Sequence, residues 1–264
     1  MIARVRHEWR LLGVALQYFT RLPVPSSPRF EADWLNQSVR YFPVAGLVVG
    51  VLAAVVLWAA AQLVPLPLAA LLALAVSVAI TGAFHEDGLA DTFDALGGHV
   101  SRERALAIMR DSRIGTYGAA ALAMDLLLRW QIVAALPLSL AMAMLVSGHA
   151  AARAGAAVLM TALDYVRLDV DAKAKPVAQQ LRGGRLIAVL AFGAAPTLAL
   201  IAMSPALALP LSCGVVAVTL VNTVCARWFR RRLGGYTGDT LGCAEQLGEV
   251  GFGMAVLAAW TWTQ

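Results

Sequence analysis

Seven stretches of this chain, at roughly 41–63, 67–84, 118–136, 138–160, 186–204, 206–225 and 246–262, are apolar for close to a membrane's width. A transmembrane helix needs about 20 such residues. Nothing else in the sequence constrains the fold as tightly, because a chain inside hydrocarbon must satisfy its backbone polar groups internally, as a helix does. The expected fold is therefore all-α, a polytopic transmembrane helical protein of about seven membrane-spanning helices. Composition agrees: 60% of residues are hydrophobic, 14% are charged and the mean hydropathy is +0.72, against about half and about a quarter in a soluble domain.

The connectors after the first, third and fifth spans are very short and carry Pro65 and Pro67, Pro137, and Pro205, so six of the helices read as three tight hairpins. No domain boundary is visible. Residues 1–264 are expected to form a single integral-membrane domain, with 1–40 as an interfacial N-terminal segment. Its basic start at 4–10 and apolar run 11–19 are followed by Arg21-Leu22-Pro23-Val24-Pro25, with no small-residue cleavage site, so an interfacial or re-entrant helix is expected in place of a signal peptide.

The remaining connectors carry nearly all the charge. Arg102, Arg104, Arg110 and Arg113 lie in the second, Arg167, Lys173, Lys175, Arg182 and Arg185 in the fourth, and the arginines of 227–232 in the sixth, while Arg4, Arg6, Arg10, Arg21, Arg29 and Arg40 precede the first span. With seven spans threaded in order, all of these fall on one side, which the positive-inside rule makes cytoplasmic. The pI near 9.5 is thereby a matter of topology. No groove-reading helix or aromatic platform points to nucleic acid. Cys213, Cys225 and Cys243 have neither disulfide nor zinc spacing and read as packing residues.

Against this apolar background, His85-Glu86-Asp87-Gly88-Leu89-Ala90-Asp91-Thr92-Phe93-Asp94 places four carboxylates at the exit of the second span. At about 100° per residue Asp87, Asp91 and Asp94 share one helix face, and Leu89, Phe93 and Leu96 the other. Like charges on one stripe repel. The pattern makes most sense around a divalent cation, Mg²⁺ with a phosphorylated ligand being the best match to all-oxygen donors.

Further polar groups sit in or between the spans. Asp125 and Arg129 are spaced for an i,i+4 ion pair within the third span, and Asn222 reads as interhelical hydrogen-bond glue. His149 and Arg153, with no acid on their own helix and small residues around them, are expected to face an anion. The stretch Arg110-Asp111-Ser112-Arg113-Ile114-Gly115-Thr116-Tyr117-Gly118 reads either as a turn in which Asp111 or Ser112 caps the following helix or as a phosphate cradle with Arg113 flanked by hydroxyls and glycines. Gly234-Gly235-Tyr236-Thr237-Gly238-Asp239-Thr240-Leu241-Gly242 suits close backbone approach to phosphate, with Glu245 and Glu249 following at helical spacing. It lacks the ending of a Walker loop. No Ser/His/Asp arrangement is present, so direct attack by a substrate hydroxyl on phosphorus is the simplest expected chemistry.

On these residues, together with Phe19-Thr20-Arg21-Leu22-Pro23-Val24-Pro25 and the pair His149 and Arg153, the chain resembles the cobalamin synthase family, the adenosylcobinamide-GDP ribazoletransferases. The matching pieces run from end to end. Cys243 stands where a small residue such as Ala is expected. The resemblance implies Mg²⁺-dependent transfer in which α-ribazole or its 5′-phosphate attacks the diphosphate of adenosylcobinamide-GDP, giving adenosylcobalamin or its 5′-phosphate and GMP. It implies a bacterial inner-membrane protein, multi-pass, with its active site facing the cytoplasm and with homo-oligomers an open question. In that reading Asp87, Asp91 and Asp94 hold metal; Asp94, Asp239, Glu86 and His85 serve catalysis. Arg21, Asp111, Arg113, His149, Arg153, Gly238, Thr240 and Glu249 contact substrate.

Two other classes fit parts of the pattern. The acidic motif is similar to a shortened CDP-alcohol phosphotransferase box, without that box's Ala-Arg pair or wider second spacing. A transporter would place ionisable groups along a pathway and show inverted repeats; no convincing repeat is found, and the acids gather at one face.

Overall fold

The computed structural model describes residues 2–25, 31–166, 181 and 183–264. Arg29, Arg167, Lys173, Lys175 and Arg182, counted above in the charge asymmetry, lie outside the described residues. The helices in order are α1 (Ile2–Phe19), α2 (Ala32–Ser38), α3 (Phe42–Ala61), α4 (Leu66–Thr81), α5 (Phe84–Leu96), α6 (Arg102–Ile108), α7 (Thr116–Ala135), α8 (Leu138–Ala162), α9 (Gly184–Met203), α10 (Ala208–Leu233) and α11 (Gly238–Trp262). Among the described residues the one piece of β pairing is an isolated parallel bridge between Tyr165 and Tyr236.

All seven expected spans are helical, but their membrane character is uneven. Five helices, α3, α7, α8, α9 and α10, are long and apolar enough to cross a bilayer, or six if α4 and α5 are counted as one bent span. The expectation of seven is therefore not met on length and composition. In the last helix the reason is visible: Glu245, Gln246 and Glu249 interrupt an otherwise apolar run.

The α4–α5 pair bends by 87°. Gly82 and Ala83 are both left-handed, at φ 69° and 60°, so the chain leaves the α4 direction within two residues. Glycine adopts this without strain, whereas alanine gives up about 1–2 kcal/mol. The turn carries the acidic helix α5 out of the line of the span.

The tight-hairpin expectation holds for α3 and α4, which pack on each other, but α8 takes α3, α9 and α11 as its main partners and not its chain neighbour α7. Helix α8 is the core of the bundle, with 72% of its most apolar window buried, against 22–39% in the other four. Small residues make this possible. Gly46 and Gly50 of α3 lie directly on the carbonyls of His149 and Leu145, a small-xxx-small crossing in which backbones meet without side chains between them.

The arginines do more than orient the chain. Arg230 donates to the Ala162 carbonyl at 2.8 Å, and Arg232 to Leu96 and Gly98 at 2.9 and 2.7 Å. Cations thus cap the C-termini of α8 and α5, where free carbonyls gather partial negative charge.

Candidate active site

Helix α5 has the two faces its spacing predicts: Leu89 and Leu96 are buried, while Asp87 is exposed and Asp91 and Asp94 half-buried. What the acids face is decided by a crossing of α5 on α11. The crossing is made by glycines: a Cβ on Gly88 would lie 2.8 Å from the Asp239 carbonyl oxygen and 3.3 Å from Gly242 Cα. Bare backbone at this point brings Asp239 to the Asp87 and Asp91 end of the stripe. Partial burial, then the charges of Asp87, Asp239 and Asp94, push the Asp91 carboxyl up to about 7. Carboxylates crowded this way resist ionising together. A Gly88→Val variant is expected to push α11 off α5 and to lose most activity while the protein still inserts, checked by turnover and membrane yield.

Asp94 is held by backbone N–H groups of another helix. One carboxylate oxygen accepts from the Gly115 N–H at 2.6 Å and the other from the Gly118 N–H at 2.8 Å. It therefore satisfies free donors at the start of α7 from another helix. A Cβ on Gly115 would come within 2.5 Å of it, which accounts for glycine in the Arg110 to Gly118 motif.

His85 and Glu86 point away from the aspartate face, into the protein. Glu86 accepts from Arg129 at 3.1 Å, and Arg129 also meets Asp125 at 3.5 Å, Gln246 at 2.6 Å and Glu249 at 2.8 Å. Arg153 lies 2.6 Å from Glu245 and 3.0 Å from Glu249, which also pairs with His149. His85 Nδ1 stands 4.0 Å from Glu245. The Asp125–Arg129 pair is thus one edge of a buried network joining α5, α7, α8 and α11. The anion that His149 and Arg153 face is the protein's own Glu249, with Glu245 beside it. The sequence put Glu249 among the expected substrate contacts and Glu245 only among the acids at the start of the last span, and did not single out Gln246; nothing in the spacing links position 129 to 246. His149, Glu245 and Glu249 offer ligand atoms within 4.8 Å of one another, yet the two guanidiniums already neutralise those carboxylates.

The remaining expected site residues are placed as follows. Arg113 is 86% exposed and grips Asp111 at 2.5 Å, and the arginine beside it holds that carboxyl down to about 2. Arg21 donates its backbone N–H to Ile80 at 2.7 Å and lays its guanidinium over Gly82 at the α4–α5 bend. Thr240 is fully buried and closes a reciprocal capping box with Thr237, the two N–H to Oγ1 bonds being 2.8 and 3.2 Å. That hydroxyl serves the start of α11. Gly238, by contrast, has open space around it. With Asp239, Arg110, Tyr165 and Thr237 it lines a cleft of about 310 Å³. Asn222 donates to Val218 of its own helix at 3.0 Å, where a partner on another helix was expected.

Fold and site together define a polytopic helical membrane enzyme whose acids meet where α5 crosses α11. The cobalamin-5-phosphate synthase family profile matches residues 11–257. Three curated relatives, each named adenosylcobinamide-GDP ribazoletransferase, are similar throughout: one from Leptothrix cholodnii is 47% identical over 94% of this chain and 95% of its own. The others, from Ralstonia nicotianae and Shewanella frigidimarina, are 44% identical over 99% of both chains and 42% over 95% of both. No solved structure matches the chain. The chain belongs to the cobalamin-5-phosphate synthase family.

Proposed function

We propose that this protein joins α-ribazole, or its 5′-phosphate, to adenosylcobinamide-GDP, releasing GMP and forming adenosylcobalamin or its 5′-phosphate. The observation that carries the reading is the meeting of Asp87, Asp91 and Asp239 at the Gly88–Gly242 crossing, in a chain of this family. Mg²⁺ fits there: the donors are carboxylate oxygens, they crowd one another, and an open cleft adjoins Asp239. Asp87 and Asp91 would hold the ion with Asp239 beside them, and when bound it would offset negative charge on the diphosphate.

The chain's own residues divide the remaining work. Asp94 fixes the Arg110 to Gly118 turn against α5, and Arg110 at its start lines the Asp239 cleft, where it can meet a phosphate. Gly238, in the first turn of α11, leaves its backbone open to the ligand. A ribazole hydroxyl attacks the phosphorus bearing the corrinoid side, the bond to the GMP oxygen breaks, and the hydroxyl proton passes to a carboxylate, Asp239 being the one that lines the cleft. The buried network keeps α5 and α11 in register and puts Glu86 in a supporting role. With the spans threaded in order the charged connectors fall on one side, which the positive-inside rule assigns to the cytoplasm of a bacterial inner membrane.

Purified protein given adenosylcobinamide-GDP, α-ribazole and Mg²⁺ is expected to release GMP and to stop when the metal is chelated. Release of CMP with a lipid product from a CDP-alcohol, or solute accumulation in proteoliposomes without GMP release, would overturn the reading.

A further inference from the structure

A second cavity, of about 160 Å³, lies behind the cleft and is walled by Tyr18, Phe19, Phe42, Phe84, Tyr165 and Tyr236. Its floor is polar, made by His85, Arg153 and Glu245, and one side is formed by Ala156 and Ala157 of α8. Cavities of about 150 Å³ in apolar cores take up an aromatic ring. The rings are held in place: Phe19 meets Phe42 edge to face at 4.4 Å between centroids and lies parallel to His85 at 5.3 Å, tilted by 13°.

Two features separate this cavity from ordinary imperfect packing. Two of the side chains that line it, His85 and Arg153, carry buried nitrogens, Nδ1 and Nε, that make no hydrogen bond, and buried polar atoms of that kind normally find a partner. The cavity also shares Tyr165 and Gly238 with the cleft that Asp239 lines. A ligand with its ring in the cavity would have its next atoms beside Asp239.

We propose that this cavity receives the planar, bicyclic, nitrogen-containing base of a nucleoside substrate, with the attached sugar directed past Gly238 into the Asp239 cleft. Aromatic walls stack on the faces of such a base, and the polar side chains of His85, Arg153 and Glu245 on the same cavity suit its ring nitrogens. This rests on the proposed transferase reading, in which two substrates carry a base of this kind: the benzimidazole of α-ribazole and the guanine of the GDP group. Their shared chemistry is what the cavity fits.

Equilibrium dialysis of the full chain in detergent, with α-ribazole and with GDP as separate probes, tests this. Ala157→Phe fills the cavity from the α8 side, and Tyr165→Leu removes one aromatic wall at a half-buried position where loss of fold is not expected. Each variant is expected to weaken one probe about tenfold or more, the scale of losing a stacked base contact, and to leave the other unchanged. Selective loss of α-ribazole places its benzimidazole in the cavity; selective loss of GDP places guanine there. Unchanged binding of both probes in Tyr165→Leu overturns the proposal while the transferase reading stands. Wild-type protein that binds neither probe and releases no GMP overturns both.

Discussion

Asp91→Asn is expected to abolish GMP release without lowering stability. Asp91 is the middle member of the stripe and is crowded by Asp87, Asp94 and Asp239, so its charge is costly to the fold. Asparagine keeps the shape and removes the repulsion. The thermal midpoint in detergent should stay level or rise slightly, since like-charge relief on a helix is worth about 0.2–0.5 kcal/mol. Turnover should fall by at least about 10²–10³-fold, the scale for loss of one electrostatic group at a transition state. Normal turnover would remove Asp91 from the site, and a collapsed thermal midpoint would make its role structural. Such opposition between stability and activity is the usual mark of a site held in a strained arrangement.

Arg129→Met is expected to give the opposite pattern, a large loss of folded protein. The Arg129 guanidinium touches Glu86, Asp125, Gln246 and Glu249 from three other positions in the bundle and one on its own helix. Methionine fills similar volume but leaves three carboxylates without that cation in a dry interior. Breaking a buried pair from one side costs about 3–5 kcal/mol, a sizeable share of a typical folding free energy of about 5–15 kcal/mol. Arg129→Lys should fall between, because one ammonium cannot span the fork of contacts that the planar guanidinium makes. Membrane yield and unfolding midpoint measure this. Arg113→Met is the contrast: its side chain is 86% exposed and pairs with the half-exposed Asp111 two residues away, so stability should not move.

The two variants also show where the sequence was legible. Asp87, Asp91 and Asp94 were visible as a stripe because helical periodicity is a local property, and Leu89 and Leu96 are indeed its buried back. Each of the seven apolar stretches is a helix for the same reason. Hairpin pairing was less legible: the Leu136-Pro137 turn joins α7 to α8, but the glycines of α3 draw α8 elsewhere. The role of Asp94 could not be read at all from its own helix, because its partners are backbone N–H groups of Gly115 and Gly118, and backbone donors carry no side-chain signature.

By itself the sequence determined an all-helical membrane protein, an acidic helix with one charged face, and glycine-rich turns beside it, since all of these follow from hydropathy and periodicity along a single segment. Only the tertiary structure decided which charges are spent on each other. Arg153 meets Glu245 and Glu249, and Arg129 meets Gln246, across more than ninety residues of chain. Asp239 joins Asp87 and Asp91 because Gly88 and Gly242 let two backbones touch. Burial in a low-dielectric interior makes an unpaired charge too costly to leave, so the partner is chosen by which helices cross, and that choice is not written in any one of them.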